Sequence, residues 1–177
     1  MRCFVATGID HHLGLALLEQ RDRAMELMAA ARPRAIPAAN LHLTLAFLGE
    51  IAETRLPNLK DCLGRVAAAA HPGRVQFDQA HCFPDPRSRV FAVTGPAEPA
   101  VELLQATMRD NLAASGFLVA HERFRPHITL ARLKHSFVPA PAWPVNLSLD
   151  VSSFALYQSE SRNGDMHYRL LHRWELG

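Results

Sequence analysis

Two periods run through the chain. Apolar side chains recurring every three to four residues mark helices, and apolar–polar alternation marks strands. Arg2–Thr7 mixes apolar and β-branched residues and predicts a first strand. Leu13, Leu17, Met25 and Met28 then recur at helical spacing within His12–Ala31, a helix that Pro33 and Pro37 end. Leu41–Leu48 alternates strictly and predicts a second strand. In Thr54–Ala70 the residues Leu59, Cys62, Leu63, Val66, Ala67 and Ala70 fall on one helical face, with Pro57 tolerated in the first turn. Val75–Phe83 and Arg89–Thr94 predict a strand pair around the turn-rich Pro84-Asp85-Pro86-Arg87. Pro99–Ala114 predicts a third helix, with Gly116 just past its end in the stopping position. His127–Leu133 is a further strand. Beyond Pro139, Pro141 and Pro144, Val145–Tyr157 and Met166–Leu176 predict a final strand pair around Ser161–Asp165. The order β-α-β-α-β-β-α-β-β-β lacks the regular alternation of a doubly wound sheet, so an α+β fold with largely antiparallel sheets is expected.

One strand is written twice. His42-Leu43-Thr44-Leu45-Ala46-Phe47-Leu48 and His127-Ile128-Thr129-Leu130-Ala131-Arg132-Leu133 agree at five of seven positions and begin 85 residues apart. A strand repeated once per half predicts two pseudo-symmetric lobes. Alternation sends Leu41, Leu43 and Leu45 to one face and His42, Thr44 and Ala46 to the other. In the second copy Ile128 and Leu130 face the core, and His127, Thr129 and Ala131 face away from it. By the same alternation Arg132 falls on the core side. A lone His-x-Thr on a strand is ordinary. Two copies facing each other across a cleft bring two imidazoles and two hydroxyls together.

Composition narrows the classes. Nine glycines and twelve prolines in 177 residues are an ordinary globular share, which excludes collagen and a disordered tail. The length suits a single two-lobed domain over residues 1–177, and 49% hydrophobic residues suffice for a sizeable core. No apolar run of about 18 residues exists to cross a membrane, and Met1–Ala6 lacks the features of a signal peptide. Three cysteines (Cys3, Cys62 and Cys82) cannot all pair, which points to a reducing cytoplasm. A net charge of +2 does not by itself announce a nucleic-acid partner. Ten histidines direct attention to acid–base chemistry near neutral pH.

Two imidazoles with ordinary pKa values of about 6.5 can hold opposite protonation states near neutrality, one as general base and one as general acid. Threonine hydroxyls beside them suit the non-bridging oxygens of a phosphate. Such a set can cleave a phosphodiester provided the leaving alkoxide receives a proton.

On these residues the sequence resembles the two-histidine phosphoesterase superfamily, whose signature is a pair of H-x-[ST]-φ motifs. Within it, the chain is similar to the bacterial and archaeal RNA 2′,3′-cyclic phosphodiesterases, once called 2′-5′ RNA ligases. The similarity is carried by Arg2–Ala6, by Asn40–Leu45 with Phe47–Glu50, by Phe124–Arg132, and by Phe154–Ser159 with Tyr168 and Trp174. The resemblance implies a bilobal α+β fold, its motif strands flanking a central cleft and its helices on the outer faces. It implies hydrolysis of a 2′,3′-cyclic phosphate to a 2′-phosphomonoester, with neither metal nor cofactor. His42 would be the proton donor to the leaving 3′ oxygen and His127 the base that activates water. Thr44 and Thr129 would hold the phosphate oxygens, and Arg132, Arg125 and Tyr157 would bind substrate. The expected partner is RNA with a 2′,3′-cyclic phosphate end, tRNA fragments included, or a small cyclic nucleotide. A cytoplasmic monomer without membrane contact is expected.

Other constellations are weaker. Asp10-His11-His12 matches a tripeptide of manganese phosphoesterases, but the further Asp and His motifs of a two-metal site are missing, so helix-entry residues are the reading. His42 and His127 lack a third zinc ligand at recognisable spacing. His71 is expected in a loop, His81 and His121 on a strand or loop surface or at the cleft edge, and His135, His167 and His172 on exposed strand ends. Without G-x-x-x-x-G-K-[ST], an ATP-dependent ligase or kinase is disfavoured. An RNA-end binding module, a 2′-5′ RNA ligase, or an enzyme acting on ADP-ribose cyclic phosphate remains an alternative.

Overall fold

Period-two patterning and helix stops decide where the chain turns. The computed structural model describes residues 1–120 and 122–177. It contains β1 (Arg2–Gly8), α1 (His11–Leu27), β2 (Pro33–Ala35), β3 (His42–Glu50), α2 (Leu56–Ala69), β4 (Gly73–Cys82), β5 (Val90–Thr94), α3 (Pro99–Ala114), β6 (His127–Leu133), β7 (Trp143–Val151), β8 (Ser153–Arg162) and β9 (Asp165–Glu175). Asp10 caps α1 by accepting the Leu13 N–H at 2.9 Å. Pro57 and Pro99 sit in the first turns of α2 and α3, where a missing N–H costs nothing. Gly116 adopts φ +73° past α3, and the Phe117 N–H closes the helix on Leu112 O at 2.9 Å.

The strands form two sheets in the orders β3-β1-β8-β9 and β2-β6-β5-β4-β7, and every pairing is antiparallel. This is the expected α+β architecture, with one motif strand in each sheet. Helix α1 packs on β2, β6 and β7, while α3 packs on β3 and β4, and α2 lies against α3 and β9. Most buried apolar side chains of both sheets belong to one hydrophobic cluster.

Two boundaries depart from the sequence reading. Val145–Tyr157 is not one strand: β7 ends at Val151, and β8 starts at Ser153 in the other sheet. No Gly or Pro marks this crossing. Its trace is a change from alternating burial in β7 to the continuous buried run Ser153-Phe154-Ala155-Leu156 of a strand covered on both faces. Between the expected helix and second strand lies β2, whose Pro33 is tolerated because it opens a short edge strand.

Strict alternation also fails inside both motif strands, at matching positions. Opposite β3, Ala6 faces Thr44 and Val5 faces Ala46, so Leu45 is skipped. Opposite β6, Ala92 faces Thr129 and Phe91 faces Ala131, so Leu130 is skipped. Each skip is a β-bulge that reverses the side-chain parity beyond it. Leu48 and Leu133 are therefore buried, whereas Phe47 and Arg132 turn outward.

Candidate active site

The two sheets bring β3 and β6 against each other. His42, Thr44, His127, Thr129 and Arg132 line one cavity of ≈ 290 Å³ between them. Period-two geometry explains the first four. Each His and Thr is two residues from its partner, so both point to the same side while Leu43 and Ile128 are fully buried behind them. Arg132 joins them only because of the Leu130 bulge. Its expected place on the core side is corrected by that extra residue.

Both imidazoles are anchored on one nitrogen. His42 Nδ1 donates to Asn40 O at 2.7 Å, and His127 Nδ1 donates to Arg125 O at 2.8 Å. A carbonyl oxygen only accepts, so each Nδ1 carries a proton and each Nε2 is left to gain or lose one. Aromatic rings fix the ring planes. Phe4 lies 5.0 Å from His42 between centroids, Tyr168 meets its edge at 5.3 Å, and Phe83 stacks on His127 at 4.4 Å.

Burial pushes both histidines below their ordinary pKa, because a desolvated imidazolium is disfavoured. The backbone hydrogen bonds oppose this in each case. His127 and Arg132 lower His42 further, while Arg125 and Arg132 do so for His127. An empty site therefore favours neutral rings.

The other expected binding residues line the cavities next to this one, Arg125 together with Thr44 and His127, and Tyr157 together with His42. Arg125 does not line this cavity: its guanidinium sits 4.6 Å over the Phe83 ring and donates to Pro84 O at 3.2 Å. It thus supports His127 through its carbonyl below and through Phe83 above. Tyr157 sits behind His42, stacked on Phe4 at 5.4 Å, and lines a neighbouring cavity. Burial raises its pKa. The tyrosine that reaches the central cavity is Tyr168 on β9.

Among the described residues, the remaining histidines fall outside the cavity. Asp10 caps α1 and His11 and His12 are exposed at its start. His81 bonds Thr94 Oγ1 at 2.8 Å and His71 meets Gly177 O at 3.2 Å. His135, His167 and His172 are exposed, and His121 lies outside the described residues. The cysteines Cys3, Cys62 and Cys82 are buried free thiols, and burial raises the pKa of Cys3 and Cys82. Among the described residues, no group of three or more His, Cys, Asp or Glu is placed to hold a metal ion. Among them, too, no helix is long and apolar enough to cross a membrane.

Phe47 and Phe83 escaped the sequence reading as site residues. Phe83 gives no local signal, because its contact with His127 spans two strands. Phe47 did leave one. It aligns with Arg132 in the repeat, and a position that holds arginine in one copy does not suit the core in either.

Known proteins share both the sequence and the fold of this chain. Residues 17–163 match the family model of the 2′-5′ RNA ligase superfamily. An RNA 2′,3′-cyclic phosphodiesterase of Escherichia coli K12 is 37% identical over 150 residues, covering 83% of this chain and 81% of its own. One from Thermus thermophilus is 31% identical over 185 aligned residues, covering 99% of this chain and 90% of its own. The crystal structure of E. coli LigT complexed with 3′-AMP superposes with a TM-score of 0.82 at 31% identity, covering 99% of this chain and 97% of that one. TT0787 of T. thermophilus does so at 0.86 and 28% identity, covering 99% of this chain and 98% of that one.

Proposed function

The chain belongs to the 2′-5′ RNA ligase superfamily, and from that membership we propose that it hydrolyses 2′,3′-cyclic phosphate ends of RNA to 2′-phosphomonoesters by paired histidine catalysis. The observation that carries this is the matched anchoring of His42 and His127, which leaves two Nε2 atoms on one cavity with two threonines and an arginine. The relatives named RNA 2′,3′-cyclic phosphodiesterase, and the E. coli structure with 3′-AMP, support the substrate class.

In the proposed reaction, neutral His127 takes a proton from water as the water oxygen attacks phosphorus. The P–O3′ bond breaks, and protonated His42 delivers its Nε2 proton to the departing O3′. The phosphate stays on O2′. Thr44 and Thr129 donate to the non-bridging oxygens, and Arg132 balances the charge that grows on them. These groups supply every proton transfer and counter-charge the displacement needs, so the reaction is assigned as metal-independent. The partner is an RNA end, tRNA fragments included, met by a monomer. The three buried free thiols favour the cytoplasm as its compartment.

The test is RNA ending in a 2′,3′-cyclic phosphate, incubated with enzyme and chelator, with the monoester identified by phosphorus NMR. Turnover to the 2′-monoester is expected. Absence of turnover, or turnover restored only by Mn²⁺ or Zn²⁺, would refute the reading. A 3′-monoester would place the leaving oxygen at O2′ instead.

A further inference from the structure

The two histidines sort the cavities on either side of the central one. His42 lines an adjoining cavity of ≈ 410 Å³ and His127 another of ≈ 300 Å³, and neither lines the other's. A phosphoryl displacement places the attacking and leaving oxygens roughly in line. With water entering beside His127 and O3′ leaving beside His42, the ribose that carries O3′ lies on the His42 side. An RNA strand continues from the 5′ carbon of that ribose, so the ≈ 410 Å³ cavity is its way out.

Besides His42, the charged lining of that cavity among the described residues is Arg2, Arg34 and Arg132 against Asp165 alone. Arg132 also lines the central cavity, where the reacting phosphate takes it up. Arg34 stands on the edge strand β2 of one sheet and reaches the β8–β9 turn of the other. There its Nη2 donates to Gly164 O at 3.2 Å and pairs with Asp165. Both side chains of that pair are 68% exposed, and an ion pair in water is weak enough to exchange one anion for another. Arg2 has no such partner: among the described residues no carboxylate pairs with it, and Glu50, opposite it on β3, meets the N-terminal amine at 3.2 Å. Two cations beyond those the reaction uses thus face one cavity beside it, which draws an anion there.

We propose that Arg34 and Arg2 bind the phosphodiester on the 5′ side of the terminal nucleotide, and that Asp165 occupies Arg34 until RNA displaces it. The proposal rests on the phosphodiesterase reading and adds the substrate's second phosphate to it. A guanidinium fork suits the two unesterified oxygens of such a linkage. The charge one linkage upstream of the scissile bond then separates an RNA end from a free nucleoside cyclic phosphate. An Arg34 that only clasped the two sheets through Asp165 would affect substrates with and without that charge alike.

The experiment compares a dinucleotide ending in a 2′,3′-cyclic phosphate with the same molecule whose internal linkage is a methylphosphonate, which keeps the shape and removes the charge. In the parent the charged linkage should raise kcat/KM by about tenfold to a hundredfold, chiefly through KM, and this advantage should shrink as salt rises. The ratio is read within one protein sample, so a variant's folded fraction cancels. In the double variant Arg2→Met, Arg34→Met the ratio should fall towards one, and Arg34→Lys should keep part of it. Asp165→Asn should raise the ratio above the parent's, because Arg34 then has no anion to give up. A parent ratio near one, or a ratio unchanged in the double variant, overturns the site, and an unchanged ratio in Asp165→Asn overturns the exchange. Hydrolysis of both substrates in those cases leaves the phosphodiesterase reading standing. Hydrolysis of neither substrate by the parent overturns both.

Discussion

His42 and His127 are held alike: each ring donates its Nδ1 proton to the carbonyl oxygen two residues earlier, Asn40 O at 2.7 Å and Arg125 O at 2.8 Å. The same local geometry in two strands gives two chemically equivalent Nε2 atoms. Their roles must therefore be separated by what surrounds them and by how substrate lies between them.

Rate against pH should be bell-shaped, because the base must be neutral and the acid protonated. The limbs report the coupled pair rather than either ring alone. Burial lowers both histidines, so both limbs of kcat/KM, which reports the free enzyme, should lie below the ordinary value of about 6.5. In kcat the alkaline limb should move up, since a bound phosphate anion favours the imidazolium. A kcat/KM maximum above about pH 7 would contradict this account.

Stability should follow the same shifts. A histidine harder to protonate when folded than when unfolded leaves the unfolded chain holding more protons as pH falls. The fold should therefore lose stability as pH drops below about 6.5 towards the lowered folded values. The double variant His42→Asn, His127→Asn should show a flatter dependence in melts between about pH 6.8 and 5.5. Equal slopes would show that the two rings do not resist protonation.

Thr44→Val and Thr129→Val remove a hydroxyl at similar volume. Each should lower kcat by at most about 10²–10³, the usual cost of one hydrogen bond to a developing oxyanion, and leave the melting temperature nearly unchanged. Arg132→Lys keeps the charge but loses the planar fork, and should retain more activity than Arg132→Met. Full activity in Arg132→Met would remove Arg132 from the reaction.

Much of this was readable from residues alone. The His–Thr pairs, the two-lobed α+β architecture and helix α3 followed from period two, the repeat and Gly116. What the sequence did not show lies where one residue breaks a period. The skipped Leu45 and Leu130 reverse the faces of Phe47 and Arg132, and they do so without the Gly or Pro that usually marks irregularity. The sheet change at Ser152 is equally silent. Arg125 and Tyr157 line cavities beside the central one rather than the central one itself, for another reason. Each lies within a few residues of a site group or its strand neighbour, but what it touches is set by Phe83 and Phe4, distant in sequence.

The division of roles between His42 and His127 is tested most directly by changing the leaving group. Either His→Ala variant should lose roughly the 10²–10⁴ of one general acid or base on a ribose cyclic phosphate. A phosphodiester with a far better leaving group, such as a nitrophenyl ester, needs no proton at the departing oxygen. It should restore His42→Ala towards the parent rate while His127→Ala stays impaired. Equal rescue of both variants, or rescue of His127→Ala alone, would contradict the assignment of His42 as the acid and His127 as the base.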